Sequence, residues 1–161
     1  MYWMGIDNGV SGSIGVVDNE GNSWWFKTPT KSEQSYTKTK QNITRIDVIK
    51  LTDILSPFKE GKVFLERPLV NPKMFKATMS AIRALEATLN VIEVLQIPLE
   101  YVDSKEWQKD LLPSGMKGSS LLKKASKDIG IRLFPKFTED ITKHGDADGL
   151  LIAEHFKRIN R

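Results

Sequence analysis

The chain has no cysteine. That excludes disulfides and any thiolate metal site, and it fits a reducing, cytoplasmic setting. No apolar stretch reaches the ~18–20 residues of a membrane span, and the N-terminus shows no basic-then-apolar signal pattern. A membrane is therefore not an expected partner. Internal repeats, low-complexity tracts and a second domain are also missing. What is present is a chain of 161 residues, 40% hydrophobic and 27% charged, the composition of one globular domain spanning 1–161.

Charge of one sign is scarcer than the total suggests. The formal net charge is +4, from 24 Lys and Arg against 20 Asp and Glu. Four of those acids arise in apolar contexts. Asp7 ends the run before the glycine-rich stretch Asn8–Gly12, Glu66 closes Lys62-Val-Phe-Leu-Glu66, and Asp146 and Asp148 open the segment running to His155. Burying a charge is expensive unless something compensates for it, and a metal ion does so when several acids converge. Were these four acids held on metal, the remaining 16 would face 24 cations, an excess of 8. Such a surface suits a phosphate backbone; the plain alternative is a mildly basic, unspecialised surface.

Pattern along the chain predicts an α/β fold. Strands are expected at about 2–8, 12–18 and 22–28, as an antiparallel meander turning through Gly9–Gly12 and Asn19–Asn22. Thr28 to Asn42 is rich in Ser, Thr, Lys and Gln and reads as a mobile loop, its lysines solvated or facing phosphate. A helix follows over 43–56, with Ile46, Ile49 and Leu55 inward, stopping at Pro57. A strand ends at Glu66, and Pro68 and Pro72 forbid helix until about Lys73. The longest helix spans about 73–96, where Ile82, Leu85, Leu89, Ile92 and Leu95 recur at helical spacing. Met79, Ala81 and Val91 widen that stripe beyond a core face and leave room for a subunit interface. Then come a strand near 98–102, a helix capped by Asp103 or Ser104, a linker over Pro113–Gly118, a basic helix over 119–129 and a last helix from near Gly145.

Three segments, Gly5-Ile-Asp-Asn-Gly9, Leu65-Glu-Arg-Pro68 and Asp148-Gly-Leu-Leu-Ile-Ala153, resemble the RuvC-type Holliday junction resolvases of the ribonuclease-H-like nuclease superfamily. The likeness is nearest to the small resolvase-like nucleases of phages. Ser104-Lys-Glu-Trp-Gln108, Lys123-Lys-Ala-Ser126 and Leu133-Phe-Pro135 extend it in the same order over nearly the whole chain. The resemblance implies a mixed five-stranded sheet with helices on both faces, a divalent-metal active site and a homodimer. For a phage protein the setting would be the host cytoplasm.

Phosphodiester cleavage needs an activated water and a stabilised leaving oxygen, which two Mg²⁺ ions about 4 Å apart can provide. Mg²⁺ (or Mn²⁺) is hard and takes oxygen ligands, so Asp and Glu are its natural partners. The resemblance implies Asp7 as bridging ligand, Glu66 on one metal and Asp148 on the other. Read structurally, the same residues are a turn aspartate, a partner for Arg67 and an acid at the positive end of a helix. The family's usual Asp or His three residues before the final aspartate is replaced by Gly145. Asp146 and His144 are both candidates for that role: Asp146 as ligand or N-cap, His144 as a proton-transfer group on the same helix face or a solvated side chain. His155 is expected to be structural.

The resemblance also places Lys105 and Lys123 near the scissile phosphate, with Lys117, Lys124 and Lys127 extending the stripe. Met74 and Phe75 are implied at the junction centre, as an aromatic wedge unless Phe75 belongs to the core. Trp24 and Trp25, adjacent on a strand, face opposite sides. The function implied is metal-dependent cutting of four-way junctions by paired symmetric nicks, leaving 5′-phosphate and 3′-hydroxyl ends. Flap, fork or RNA–DNA hybrid cleavage by the same acids, and non-cleaving DNA binding, are the alternatives. Asp7-Asn-Gly-Val-Ser11 also resembles the phosphate loop of sugar kinases. Those need a second domain to close over nucleotide, so no nucleotide cofactor is expected.

Overall fold

The structure, a computed structural model, describes residues 1–160. Its centre is strand β1 (Tyr2–Ile6), flanked by β2 (Ser13–Asp18) and β6 (Lys62–Glu66). With β3 (Ser23–Lys27) and β7 (Leu99–Val102) these form a five-stranded sheet in the order β3-β2-β1-β6-β7. The first three strands are antiparallel neighbours, while β6 runs parallel to β1 and β7 parallel to β6. Short hairpins explain the first set; helical crossovers make the second possible.

Side-chain alternation divides the core into two layers. Met4, Ile6, Ile14, Val16, Val63 and Leu65 face one way, onto Leu51 and Leu55 of α1 (Val48–Leu55) and Ala84, Val91 and Ile92 of α2 (Phe75–Val94). Trp3, Val17, Phe64 and Val102 face the other way. They meet α3 (Ser104–Leu111), α4 (Ser119–Leu133), α5 (Thr138–His144) and α6 (Asp148–Ile159). The chain is therefore a mixed sheet with helices on both faces. No helix among the described residues is long and apolar enough to cross a membrane.

Three expectations need correction. The stretch 28–42 is not one loop: β4 (Thr30–Gln34) pairs antiparallel with β5 (Asn42–Ile46) as a separate ribbon. Glu33 on this ribbon bridges Lys31 and Arg45, each at 2.6 Å. The helix assigned to 43–56 consequently begins only at Val48, where the Asp47 side chain caps it by accepting from the N–H of Lys50. Ile46 is still buried, but from a strand, whereas Ile49 is 72% exposed. Finally, the basic helix extends to Leu133, and the additional helix α5 precedes α6. Gly145, with φ of +106°, ends α5 in the left-handed region that glycine tolerates best. His144 and Asp148 therefore belong to different helices.

Candidate metal centre

The acids meet because of strand periodicity. Trp3, Gly5 and Asp7 share one side of the β1 line, and Phe64 and Glu66 share the same side of β6. The register pairs Ile6 with Leu65, so Asp7 and Glu66 come next, side by side where both strands end. Both acids consequently face α6. Asp7 is fixed by its N–H donating to the Ser13 carbonyl at 3.0 Å across the hairpin.

The third element approaches unusually closely. α6 lies directly on the backbone of β1 and β2. A Cβ on Gly5 would collide with the Gly149 carbonyl oxygen and the Ala153 amide, and one on Gly15 with the backbone of Leu150. Absence of those side chains lets the start of α6 reach the end of β1. Its N-cap residue, Ala147, has no side chain to cap the exposed N–H groups. Two hydroxyls from elsewhere do this instead. Ser13 Oγ accepts from Gly149 N at 3.2 Å, and Ser126 Oγ of α4 accepts from Ala147 N at 3.1 Å. The Ser126 hydroxyl in turn donates to Asp148 Oδ1, orienting that carboxylate.

Asp7, Asp146 and Asp148 each bring a carboxylate oxygen within 4.8 Å of the others. Asp146 is only 3% exposed. Glu66 stands outside this group, with its Oε1 accepting from the Trp107 indole N–H at 3.0 Å. Lys123 Nζ lies 3.7 Å from Asp146 Oδ2, and His144 Nε2 lies 3.5 Å from Asp146 Oδ1.

So many acids in one buried place resist ionising together. Burial, followed by repulsion from Asp148, Glu66 and Asp146, holds the Asp7 carboxyl well above the usual carboxylate range. Asp148 is pushed up to about 7, by burial first and by Asp146 second. Glu66 is raised by burial, although the Trp107 N–H and a hydrogen bond with Asp7 pull it back. Burial also lowers His144, and Lys27 and Lys123 add to this against the opposing pull of Asp146.

These observations provide a test of fit for a divalent cation. The donors are all carboxylate oxygens, close-set and desolvated, with one lysine beside them. A hard dication matches that donor set and would relieve the repulsion that otherwise retains protons. The residues fit a hard divalent cation.

The remaining candidates fall in two groups. Lys123 is exposed but pairs with Asp146, whereas Lys105, Lys117 and Lys124, exposed on α3, the following loop and α4, pair with none of the acids of the site. Met74 and Phe75 are 57% and 70% exposed, so Phe75 is not a core residue. His144 is not solvated: its side chain is 5% exposed and edge-on to Trp25, with ring centroids 5.4 Å apart. Asp146 is not the N-cap of α6, although its Oδ1 accepts from Asp148 N at 3.4 Å. His155 bonds Asp110 through Nδ1 at 2.9 Å, far along α6 from the acids. Trp107, Ser126 and Ser13 had no role assigned from sequence. A tryptophan in a polar helix and a serine in an apolar strand were the available signals, and neither points to a particular acid.

No protein-family model and no curated protein matches the sequence. Solved structures do match the fold. A structure described as T. thermophilus RuvC in complex with Holliday junction substrate aligns with TM-score 0.60 over 99% of this chain and 96% of that one. A second, of Thermus thermophilus RuvC, aligns with TM-score 0.55 over 99% and 97%; identity is 13% in both. At that identity the likeness is one of architecture, and the architecture of this chain is the RuvC-type, ribonuclease-H-like fold.

Proposed function

We propose that this chain is a metal-dependent endonuclease that cuts four-way DNA junctions as a homodimer. The observation that carries the reading is the meeting of Asp7, Asp146 and Asp148 at the end of the central strand, on a RuvC-type fold. Asp7, Asp146 and Asp148 would hold the cations, two per site, with Glu66 as a further ligand. Bound divalent ions would supply Lewis-acid stabilisation of charge building on the phosphate.

The protein's own groups do the rest. Trp107 fixes Glu66 beside Asp7, where its carboxylate would orient an attacking water. Ser126 holds Asp148 in one rotamer. Lys123, already drawn to Asp146, is placed to neutralise a non-bridging phosphate oxygen. The uncharged imidazole of His144 beside Asp146 is suited to passing a proton at the leaving side.

Dimerisation is supported by α2. Met79 and Ile82 remain 38% and 40% exposed on its outer face, beyond what the sheet covers. A twofold pair would present two such sites to opposed strands of a junction. Lys105, Lys117 and Lys124 would meet the arms, and Met74 and Phe75 the opened centre.

The test compares cutting of matched four-way junction, flap and RNA–DNA hybrid substrates, with and without Mg²⁺. Preferential, paired junction nicks that require Mg²⁺ support the proposal. Equal cutting of flaps or hybrids would make it a broader branched-substrate nuclease. Tight junction binding with no cutting in Mg²⁺ or Mn²⁺ would make it a binding module.

A further inference from the structure

Beside the carboxylates, on the β3 side, lies an open cleft of about 460 Å³, whose Trp25, Lys27 and Lys143 have no role above. Its walls are Trp25 and Lys27 of β3, Lys123 of α4, Lys143 and His144 of α5, and Asp146. It therefore shares Lys123 and Asp146 with the metal centre and opens directly from it.

Its charge is unbalanced. Lys123 is matched by Asp146, but Lys27 and Lys143 have no ion-pair partner among the described residues. One further acid, Asp140, lines the cleft. Two unpaired ammonium groups against one carboxylate favour an anion. The same cleft has an aromatic wall, the Trp25 indole set edge-on to His144. The Trp25 N–H is itself buried and finds no acceptor within the protein, so the indole meets the cleft through its ring rather than its donor.

Size narrows the ligand. The volume falls in the range of small-ligand pockets, about 300–1,000 Å³, a scale suited to one nucleotide. Aromatic walls flanked by lysines hold single strands by stacking and by charge.

We propose that this cleft is a subsite for one unstacked DNA nucleotide adjoining the phosphate at the carboxylates. Lys27 and Lys143 take its backbone phosphate, and Trp25 packs against its base. The site would then recognise a strand locally released from the duplex, as at a branch point, rather than continuous double helix. This rests on the nuclease reading, since only a phosphate at the acids puts its neighbour in the cleft.

The experiment uses the full-length Asp7→Asn chain without metal, and DNA carrying 5-iododeoxyuridine at successive positions. Photocrosslinks are mapped by mass spectrometry on a junction, a single strand and a continuous duplex of the same sequence. Crosslinking to Trp25 on junction and single strand but not duplex is expected. Adding Lys27→Ala and Lys143→Ala should weaken single-strand binding about tenfold and flatten its salt dependence, with thermal midpoint retained. No crosslink at Trp25, equal crosslinking on duplex, or unchanged affinity in the double lysine variant overturns the subsite. Junction cutting by the unaltered protein, measured in parallel, tests the nuclease reading alone: cutting without the crosslink retires only the subsite.

Discussion

The indole N–H of Trp107 donates to Oε1 of Glu66 at 3.0 Å, linking a fully buried aromatic on α3 to an acid at the end of β6. The bond leaves only part of the carboxylate free and fixes where that part points. Trp107→Phe keeps an aromatic ring there but removes the donor. Junction cutting should fall about 10–100-fold, as for other outer-shell contacts of a metal site. Junction affinity without metal should be unchanged; an equal loss of affinity would mean that Trp107 merely supports the fold.

Asp7→Asn removes the charge at the centre of the cluster. Cutting should drop by more than about 100-fold, beyond an outer-shell effect. Metal-free thermal stability should rise, because burial and three neighbouring acids already disfavour the Asp7 carboxylate. A thermal melt in chelator reads this directly. A lower midpoint for Asp7→Asn would contradict the electrostatic account.

Stability should also depend on pH in a defined direction. Burial, with Asp146 second, pushes the folded Asp148 carboxyl up to about 7 from an ordinary value of 3.8. Between those values the folded chain holds a proton that the unfolded chain has lost. Metal-free stability is therefore greatest at the acidic end of this window and falls as pH rises through it. Mg²⁺ bound as proposed would compete with that proton, so the gain in melting midpoint on adding Mg²⁺ should be larger at pH 8 than at pH 6. Calorimetric titration at pH 6 in buffers of different ionisation enthalpy should reveal proton release on binding.

Gly15→Ala tests how closely α6 sits on the sheet. The added methyl would meet the Leu150 backbone, which cannot rotate aside as a side chain would. A loss of about 3 kcal/mol or more in urea unfolding is expected, at the upper end for overpacking. A change under about 1 kcal/mol would show that the helix can lift away freely.

Ile82→Glu places a charge on the uncovered stripe of α2. If that stripe joins two copies, sedimentation should show the unaltered chain as a dimer and the variant as a monomer of unchanged fold. A dimer in both would put the interface elsewhere.

Much of this architecture was legible because its strands are apolar runs bounded by glycine, proline or asparagine. Met4, Ile6, Ile14, Val16, Val63 and Leu65 all sit within such runs, which are buried on both faces of the sheet. The β4–β5 ribbon left no such trace: Thr30 to Gln34 has no apolar residue, and its strands hold together through backbone pairing and the Lys31–Glu33–Arg45 bridge. Helix α5 was equally hidden, since within it only Ile141 is buried. Its presence also separates His144 from Asp148. Distances across the site depended on tertiary approach: nothing local in Ser126 or Trp107 tells which carboxylate each will meet.

The contact of α6 with bare backbone divides the acids by their freedom to adjust. Asp7 and Asp148 ride on elements pressed main chain to main chain, so their spacing can change only by shearing the sheet or turning a side chain. Asp146 stands ahead of the helix, and Glu66 is tethered through one indole. Were these acids to hold cations as proposed, ions of different radius would be accommodated first by Asp146, and by Glu66 only once its tether is released. Tuning this protein between a smaller and a larger cation should accordingly begin at Asp146 and Trp107, with Asp7 and Asp148 left as the fixed jaw of the vice.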